Sequence, residues 1–281
     1  MEQLTFKNLE INHPEFPVAV LFNDRINQSE RISVCHSHWH EQLELHYITD
    51  GELEFFIDQK PYILKKGDVA LVGKNLLHYS FYTGRLQELI LIFDLKNFST
   101  ELAEKDLCYH SAVRGDPTVQ KLLNQLQEEY SEQLAGYQQA CKGLLLQLMA
   151  YLSRSYVHAT AKEERKYRVR QLERLTPARR YIETHYAEPL DTQVLAELLH
   201  ISPDRFNHLF KEAMGISPGK YINEVRLHRA MILLRIGKHS FSEVAQMCGF
   251  TDYNHFGRLF RKTFGCTPSQ ITLYDYPETA K

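Results

Sequence analysis

Cysteine is scarce in this 281-residue chain: five residues, widely spaced, with no CxxC pair. An odd, scattered set is no disulfide framework and fits a reducing cytoplasm. The missing CxxC excludes zinc fingers and zinc ribbons. Long apolar runs are missing too. The best candidate, residues 144–152, is broken by Gln147 and falls short of a membrane span. The first residues, MEQLTFKNLE, lack a basic stretch followed by an apolar one, so no signal peptide is expected. No GxSxG, Walker A or GxGxxG motif occurs, which removes nucleophile-elbow, P-loop and dinucleotide chemistry. Cys35 beside His36 reads as an incidental cysteine rather than a thiol nucleophile.

What remains is ordinary in bulk and uneven in detail. Hydrophobic residues make up 43% and charged residues 24%, the balance of a globular protein, and the length suggests two domains. Net charge is −2, divided as −7 over residues 1–160, +3 over 161–175 and +2 over 176–281. A basic C-terminal part behind an acidic N-terminal part points to a polyanion as the partner of the former.

Residues 14–98 read as strands. Leu53–Asp58, Pro61–Leu64, Val69–Val72 and Glu88–Phe93 are short runs rich in β-branched and aromatic residues. Asp50-Gly51, Gln59-Lys60 and Lys66-Gly67-Asp68 bound them, and Asp-Gly is a strong hairpin signal. Such spacing predicts a sandwich or barrel. His36, His38, His40, Glu44 and His46 share one parity, so an unbroken strand would point all five to one face. A turn between His40 and Glu44 would leave only His38 and His40 paired. Trp39 and Tyr47 have the opposite parity and read as packing.

A resemblance then appears. His38-Trp39-His40, three residues, Glu44, six residues and Gly51 resembles the first motif of the cupin superfamily. Gly67, five residues, Gly73-Lys74-Asn75, two residues and His78 resembles the second, in degraded form: Gly73, Asn75 and Tyr82 stand where the family has Pro, Gly and Asn. The resemblance implies a double-sheet β-barrel over about 15–95, with His38, His40, Glu44 and His78 as ligands of a divalent transition metal. Cupin-like sensors also use such histidines to bind a small polar molecule. The effector pocket expected here is therefore His36, His38, His40, Glu44, His46 and His78.

From Pro117 the period changes. Val119, Leu122, Leu123, Leu126 and Tyr130 recur at helical spacing, and Asp116-Pro117 is a cap followed by proline at the first helical position. Leu144, Leu145, Leu148, Met149, Leu152 and Tyr156 give a second helix a broad apolar face. That pair can pack on its own barrel and also join a second chain. Residues 161–175 are highly charged and read as a partly helical linker.

The last hundred residues hold a repeat. Residues 195–211 match 244–261 with one insertion: Ala196 pairs with Ala245, and Leu209-Phe210-Lys211 with Leu259-Phe260-Arg261. Gly215-x-Ser217-Pro218 pairs with Gly265-x-Thr267-Pro268, a period of 49 to 50 residues. Each copy reads as a short helix, a tight turn and a second helix. Ser240-x-x-Glu243 is a capping box. Ser202-Pro203 caps the second helix of the first copy, and Thr251 or Asp252 that of the second. Gly215 and Gly265 are stops. Ser217-Pro218 begins a long helix running to Ile236 and ended by Gly237, which joins the copies. This is the helix-turn-helix design, whose second helix enters a major groove about 12 Å wide. By helical position Phe206, Leu209, Phe210, Phe256, Leu259 and Phe260 face inward. Asp204, Arg205, Asn207, His208 and Lys211 in one copy, and Tyr253, Asn254, His255, Arg258 and Lys262 in the other, can face DNA.

Arg226-Leu-His-Arg-Ala230 through Gly249-Phe250, Phe256, Phe260 and Pro268 closely resembles the signature of the AraC/XylS family of transcriptional regulators, over about residues 176–274. Matched to that family, Asn207, His208, Asn254, His255 and Arg258 occupy base-reading positions. Asp204 departs from the pattern. Arg205, Lys211, Arg261 and Lys262 are then the backbone contacts. The expected fold is α+β and multidomain: a cupin-type barrel with a helical pair over 1–160, a linker over 161–175, and an all-α DNA-binding domain with two helix-turn-helix units over 176–281. The expected function is a cytoplasmic, ligand-responsive activator. Its partners are promoter DNA, a small effector such as a sugar or a metal, a second copy and RNA polymerase. The competing reading is a metal-dependent cupin enzyme or metal sensor carrying a DNA-binding domain.

Overall fold

The computed structural model describes residues 15–26, 31–105, 107–158 and 163–271. Seven strands come first: β1 (Val18–Ile26), β2 (Ile32–His38), β3 (Leu43–Ile57), β4 (Lys60–Lys65), β5 (Val69–Val72), β6 (His78–Phe93) and β7 (Ala112–Val113). They form one antiparallel sheet in the order β1-β6-β3-β5-β7, with β2 also paired to β6 and β4 to β3. The two long strands are neighbours, and each takes two further partners in series. β6 pairs β2 with its first half and β1 with its second, while β3 pairs β5 and then β4.

This corrects the expected cupin barrel. The sheet is open: its path runs from β1 to β7 and does not return. What covers its apolar side is helix, not a second sheet. α2 (Pro117–Glu132) and α3 (Tyr137–Ser155) bring Val119, Leu123, Leu126, Leu145, Leu148 and Leu152 onto Val18, Leu43, Leu45, Leu71, Leu89, Leu91 and Phe93 in one buried cluster. With that face already dry, no closing strand is needed, and β7 has only two residues with which to make one. α2 starts where its sequence directs. Asp116 accepts from the amides of Thr118 and Val119, and Pro117 follows it.

A second correction concerns Asp50-Gly51. β3 runs straight through it, and the hairpin turn lies at Asp58 and Gln59, both at positive φ. Gly51 has φ +82, and a Cβ there would overlap the carbonyl of Arg85. The glycine serves close strand approach rather than a turn.

Contacts group the described residues 15–26, 39–76 and 84–158 into one compact unit, and 31–38, 77–83 and 163–271 into a second. The first unit also holds the short helix α1 (Thr100–Glu104), and the helical part of the second unit opens with α4 (Glu163–His185). Its first half is the segment read from sequence as a linker; residues 161–162 lie outside the described residues. Leu172, Leu175, Ala178 and Ile182 are its buried stripe. Then come α5 (Thr192–Glu197), α6 (Pro203–Met214), α7 (Pro218–Ile236), α8 (Phe241–Met247) and α9 (Tyr253–Phe264). Ser202, Ser217 and Ser240 cap α6, α7 and α8, the last with the full capping box. Asp252, not Thr251, caps α9. Gly215, Gly237 and Gly265 end their helices at positive φ.

Candidate nucleic-acid interface and effector site

Each repeat folds as a short helix, a tight turn and a longer helix. In the first copy Leu195, Ala196, Phe206, Leu209 and Phe210 are buried. Asp204, Arg205, Asn207, His208 and Lys211 are exposed on α6. In the second, Val244, Ala245, Cys248, Phe250, Phe256, Phe260 and Phe264 form one core, with Leu259 partly buried against it. Asn254, His255, Arg258, Arg261 and Lys262 are exposed on α9, as is Tyr253. Both second helices therefore turn an aromatic stripe inward and a polar face to solvent, basic on α9 with Arg258, Arg261 and Lys262, and charge-balanced on α6, where Arg205 and Lys211 stand with Asp204 and Glu212. Asp252 is bonded to the amides of Asn254 and His255, and these bonds hold its carboxyl below the usual range. His208 lies 3.7 Å from Glu212 one turn on.

The histidines do not line one strand face. β2 stops at His38, its pairing with β6 shifts register twice, and His40 sits in the turn that follows. In the first unit His40, Glu44 and His46 are joined by hydrogen bonds. His40 Nε2 meets Glu44 Oε2 at 2.7 Å, and His46 Nε2 meets Glu44 Oε1 at 2.9 Å. The chain continues through two residues the sequence reading missed. His46 Nδ1 meets Glu88 Oε2 at 2.8 Å, and Asn23 Nδ2 donates to Glu88 Oε1 at 2.8 Å. Asn23 and Glu88 are cross-strand partners of β1 and β6. The available signal was an acid opening an otherwise apolar strand, ELILIF. Glu44, His46 and Glu88 are all buried. Burial opposes charge on His46, but the Glu88 carboxylate and the bonds to Glu44 and Glu88 outweigh it and push the pKa up to about 10. For Glu88, burial is likewise overcome by the His46 charge and the bonds from His46 and Asn23, and its pKa falls. His46 is thus an imidazolium clamped between two carboxylates, with both nitrogens occupied.

In the second unit His38 lies 4.1 Å from His78 and 5.3 Å from His36, ring centre to ring centre. The His36 ring lies 5.1 Å from that of His228 and 6.1 Å from that of Tyr221. Burial, then the charges of Arg229, His78 and Arg179, push its pKa down to about 3. It is a neutral histidine in a helical setting. Trp39 and Tyr47 are buried packing residues.

One donor from each of His38, His40, Glu44 and His78 falls within a 4.8 Å group, and all four residues are buried. His38 and His40 turn Nδ1 toward the carbonyls of His36 and Gln42 at 2.8 and 3.1 Å, which directs Nε2 as the ligating atom. His40 meets acceptors at both nitrogens, the Gln42 carbonyl and the Glu44 carboxylate. The donor set fits a chelated metal ion.

Two helix-turn-helix units beside a sheet domain with a buried polar cluster define a ligand-responsive, sequence-specific DNA-binding transcription regulator. Residues 195–272 match the family described as helix-turn-helix domain, and residues 25–149 that described as AraC-like ligand binding domain. The chain is 28% identical over 246 residues to the HTH-type transcriptional activator RhaS of Enterobacter sp. (strain 638), covering 83% of this chain and 86% of that one. It is 27% identical over the same shares to RhaS of Salmonella schwarzengrund (strain CVM19633). Among solved structures, ToxT of Vibrio cholerae superposes with a TM-score of 0.57 at 12% identity, covering 90% of this chain and 97% of that one. The chain thus carries an AraC-like ligand binding domain and a helix-turn-helix domain, and it is similar to AraC-type transcription regulators. These relatives are regulators, and the reading as a cupin enzyme falls with them. No helix among the described residues is long and apolar enough to cross a membrane.

Proposed function

We propose that this chain is a transcriptional activator working as a homodimer, its sheet domain taking a small effector and its helical unit reading promoter DNA. The observation that carries the reading is the matched pair of second helices, each with an exposed polar face over an aromatic core, the second of them basic. Asn207, His208, Asn254, His255 and Arg258 read base edges; asparagine suits adenine, and the arginine fork suits guanine. Arg205, Lys211, Arg261 and Lys262 hold phosphates and set the register. Two copies reach successive major grooves about one helical turn apart. The relatives named activators support activation, and with it contact to RNA polymerase. The helical pair of α2 and α3 supplies the dimer surface. His36, His38, His40, Glu44, His46 and His78 belong to the effector-responsive region, with the effector a sugar or another small polar molecule.

Selection from random duplex DNA tests this reading. A site with two half-sites should emerge, bound more tightly when the effector is found by thermal shift among sugars, metals and small acids. Recovery of no sequence above random competitor, with or without those compounds, overturns it. The clustered donors favour a second reading, in which the effector is itself a divalent transition metal. Zinc or nickel should then raise the melting temperature of the intact chain and leave Glu44→Ala unmoved; equal shifts in both remove the metal reading.

A further inference from the structure

Residues 186–191 carry the chain from α4 into α5, the first helix of the first helix-turn-helix unit. Their backbone is held by α7 and lies against the turn of the second unit. Arg226, on α7, donates from Nε to the carbonyl of Tyr186 at 2.7 Å and from Nη2 to that of Glu188 at 2.9 Å. Its guanidinium lies 5.9 Å from the centre of the Phe250 ring. Tyr186 packs against the core containing Phe250, Phe256 and Phe260, and the Arg229 guanidinium stands 5.5 Å from its ring. Gly249 admits this strap. A Cβ at 249 would come within 2.8 Å of the Ala187 carbonyl oxygen and 2.9 Å of that of Tyr186.

The repeat separates two reasons for that glycine. Gly249 has φ +80, and its counterpart in the first copy, four residues after the matched alanine, is His200 at φ +55. The turns are bonded alike: Ile201 N reaches Ala196 O at 3.2 Å, and Phe250 N reaches Ala245 O at 3.0 Å. The turn itself therefore accepts a side chain. What excludes one at 249 is the strap lying against it. Arginine is suited to position 226 for a related reason, since its planar fork reaches two carbonyls at once and a lysine point charge does not.

The two units are joined along the chain by α7. The strap is a second tie, closing a loop from the start of the first unit onto the turn of the second. We propose that Arg226 and Gly249 are positioning residues which, through this tie, fix α9 relative to the first unit and so set the half-site spacing the protein accepts. This rests on the two-site DNA reading above.

The test uses the full chain with a selected two-half-site duplex, the same duplex lengthened by one base pair between half-sites, and a single half-site. In Arg226→Ala the preference for the selected spacing should fall by about tenfold, with single half-site binding held within about twofold. Arg226→Lys should fall between wild type and alanine. Gly249→Ala should behave as Arg226→Ala, and His200→Gly as wild type. Spin labels on non-natural side chains at 208 and 255, measured without DNA, should give a broader distance distribution in Arg226→Ala. Unchanged spacing preference, or equal losses on all three duplexes, overturns the proposal. If wild type itself shows no spacing preference, the two-site reading fails. The label distribution then still decides whether the tie exists, and an unchanged one rejects it.

Discussion

Glu88→Gln is the sharpest perturbation of the buried network. The carboxylate accepts from His46 on one oxygen and from Asn23 on the other, each at 2.8 Å. A glutamine of the same shape keeps one oxygen. If it accepts from His46, its amide hydrogens face the amide hydrogens of Asn23; if it accepts from Asn23, they face His46. One buried donor pair is left opposed, and the His46 imidazolium loses one of its two counter-charges. Removing one partner of a buried pair costs about 3–5 kcal/mol, but Glu44 still holds His46, so about 2–4 kcal/mol is expected. Trp39 is the only tryptophan and is 1% exposed, in the same unit as the network, so its fluorescence reports urea unfolding of that unit. Asn23→Asp on top of Glu88→Gln restores donor against acceptor and should recover part of the loss. The pH dependence has a defined sign. His46 is raised from 6.5 to about 10, so its stabilisation is complete below 6.5 and is lost as pH rises through about 10. Glu88 is lowered from 4.5, so its share is present above 4.5 and is lost as pH falls through the depressed value. Glu88→Gln should flatten the alkaline decline. A midpoint within about 0.5 kcal/mol of wild type, with the same alkaline slope, would refute the clamped imidazolium.

Three other outcomes follow from single positions. Gly51→Ala places a methyl on the Arg85 carbonyl in a left-handed backbone, and should cost about 3 kcal/mol or more, read as a lowered melting temperature or loss of soluble protein. Asp116→Ala removes the cap of α2 and the acceptor of the Tyr151 and Tyr156 hydroxyls at 2.9 and 2.7 Å, and should cost about 2 kcal/mol by urea titration. Arg258→Ala should relax sequence preference at one base pair by about 1–3 kcal/mol in a competition assay, whereas equal loss on every sequence would make it a phosphate contact.

The helical unit could be read from residues because its signals are local. Ser202, Ser217, Ser240 and the three stop glycines act within one turn of themselves, and each sits where the chain starts or ends a helix. The sheet domain could not be read so far. Asp50-Gly51 carries the chemistry of a turn, yet strand pairing with β4 and β5 draws β3 straight across it. The even spacing of His36 to His46 holds only along an unbroken strand, and register shifts in β2 break it. His36 went to Tyr221 and His228, partners almost two hundred residues away, which no spacing rule reaches.

The sequence alone determined the two helix-turn-helix units, their caps, the long helix between them and the faces they expose, because helix boundaries depend on hydrogen bonds a few residues long. Tertiary structure alone decided that the sheet stays open, that Glu88 and Asn23 complete the polar chain begun by His40, and that Arg226 holds the strap leading into α5. Each of these depends on which distant surface arrives to exclude water or supply a charge, and that is settled by packing the whole chain at once.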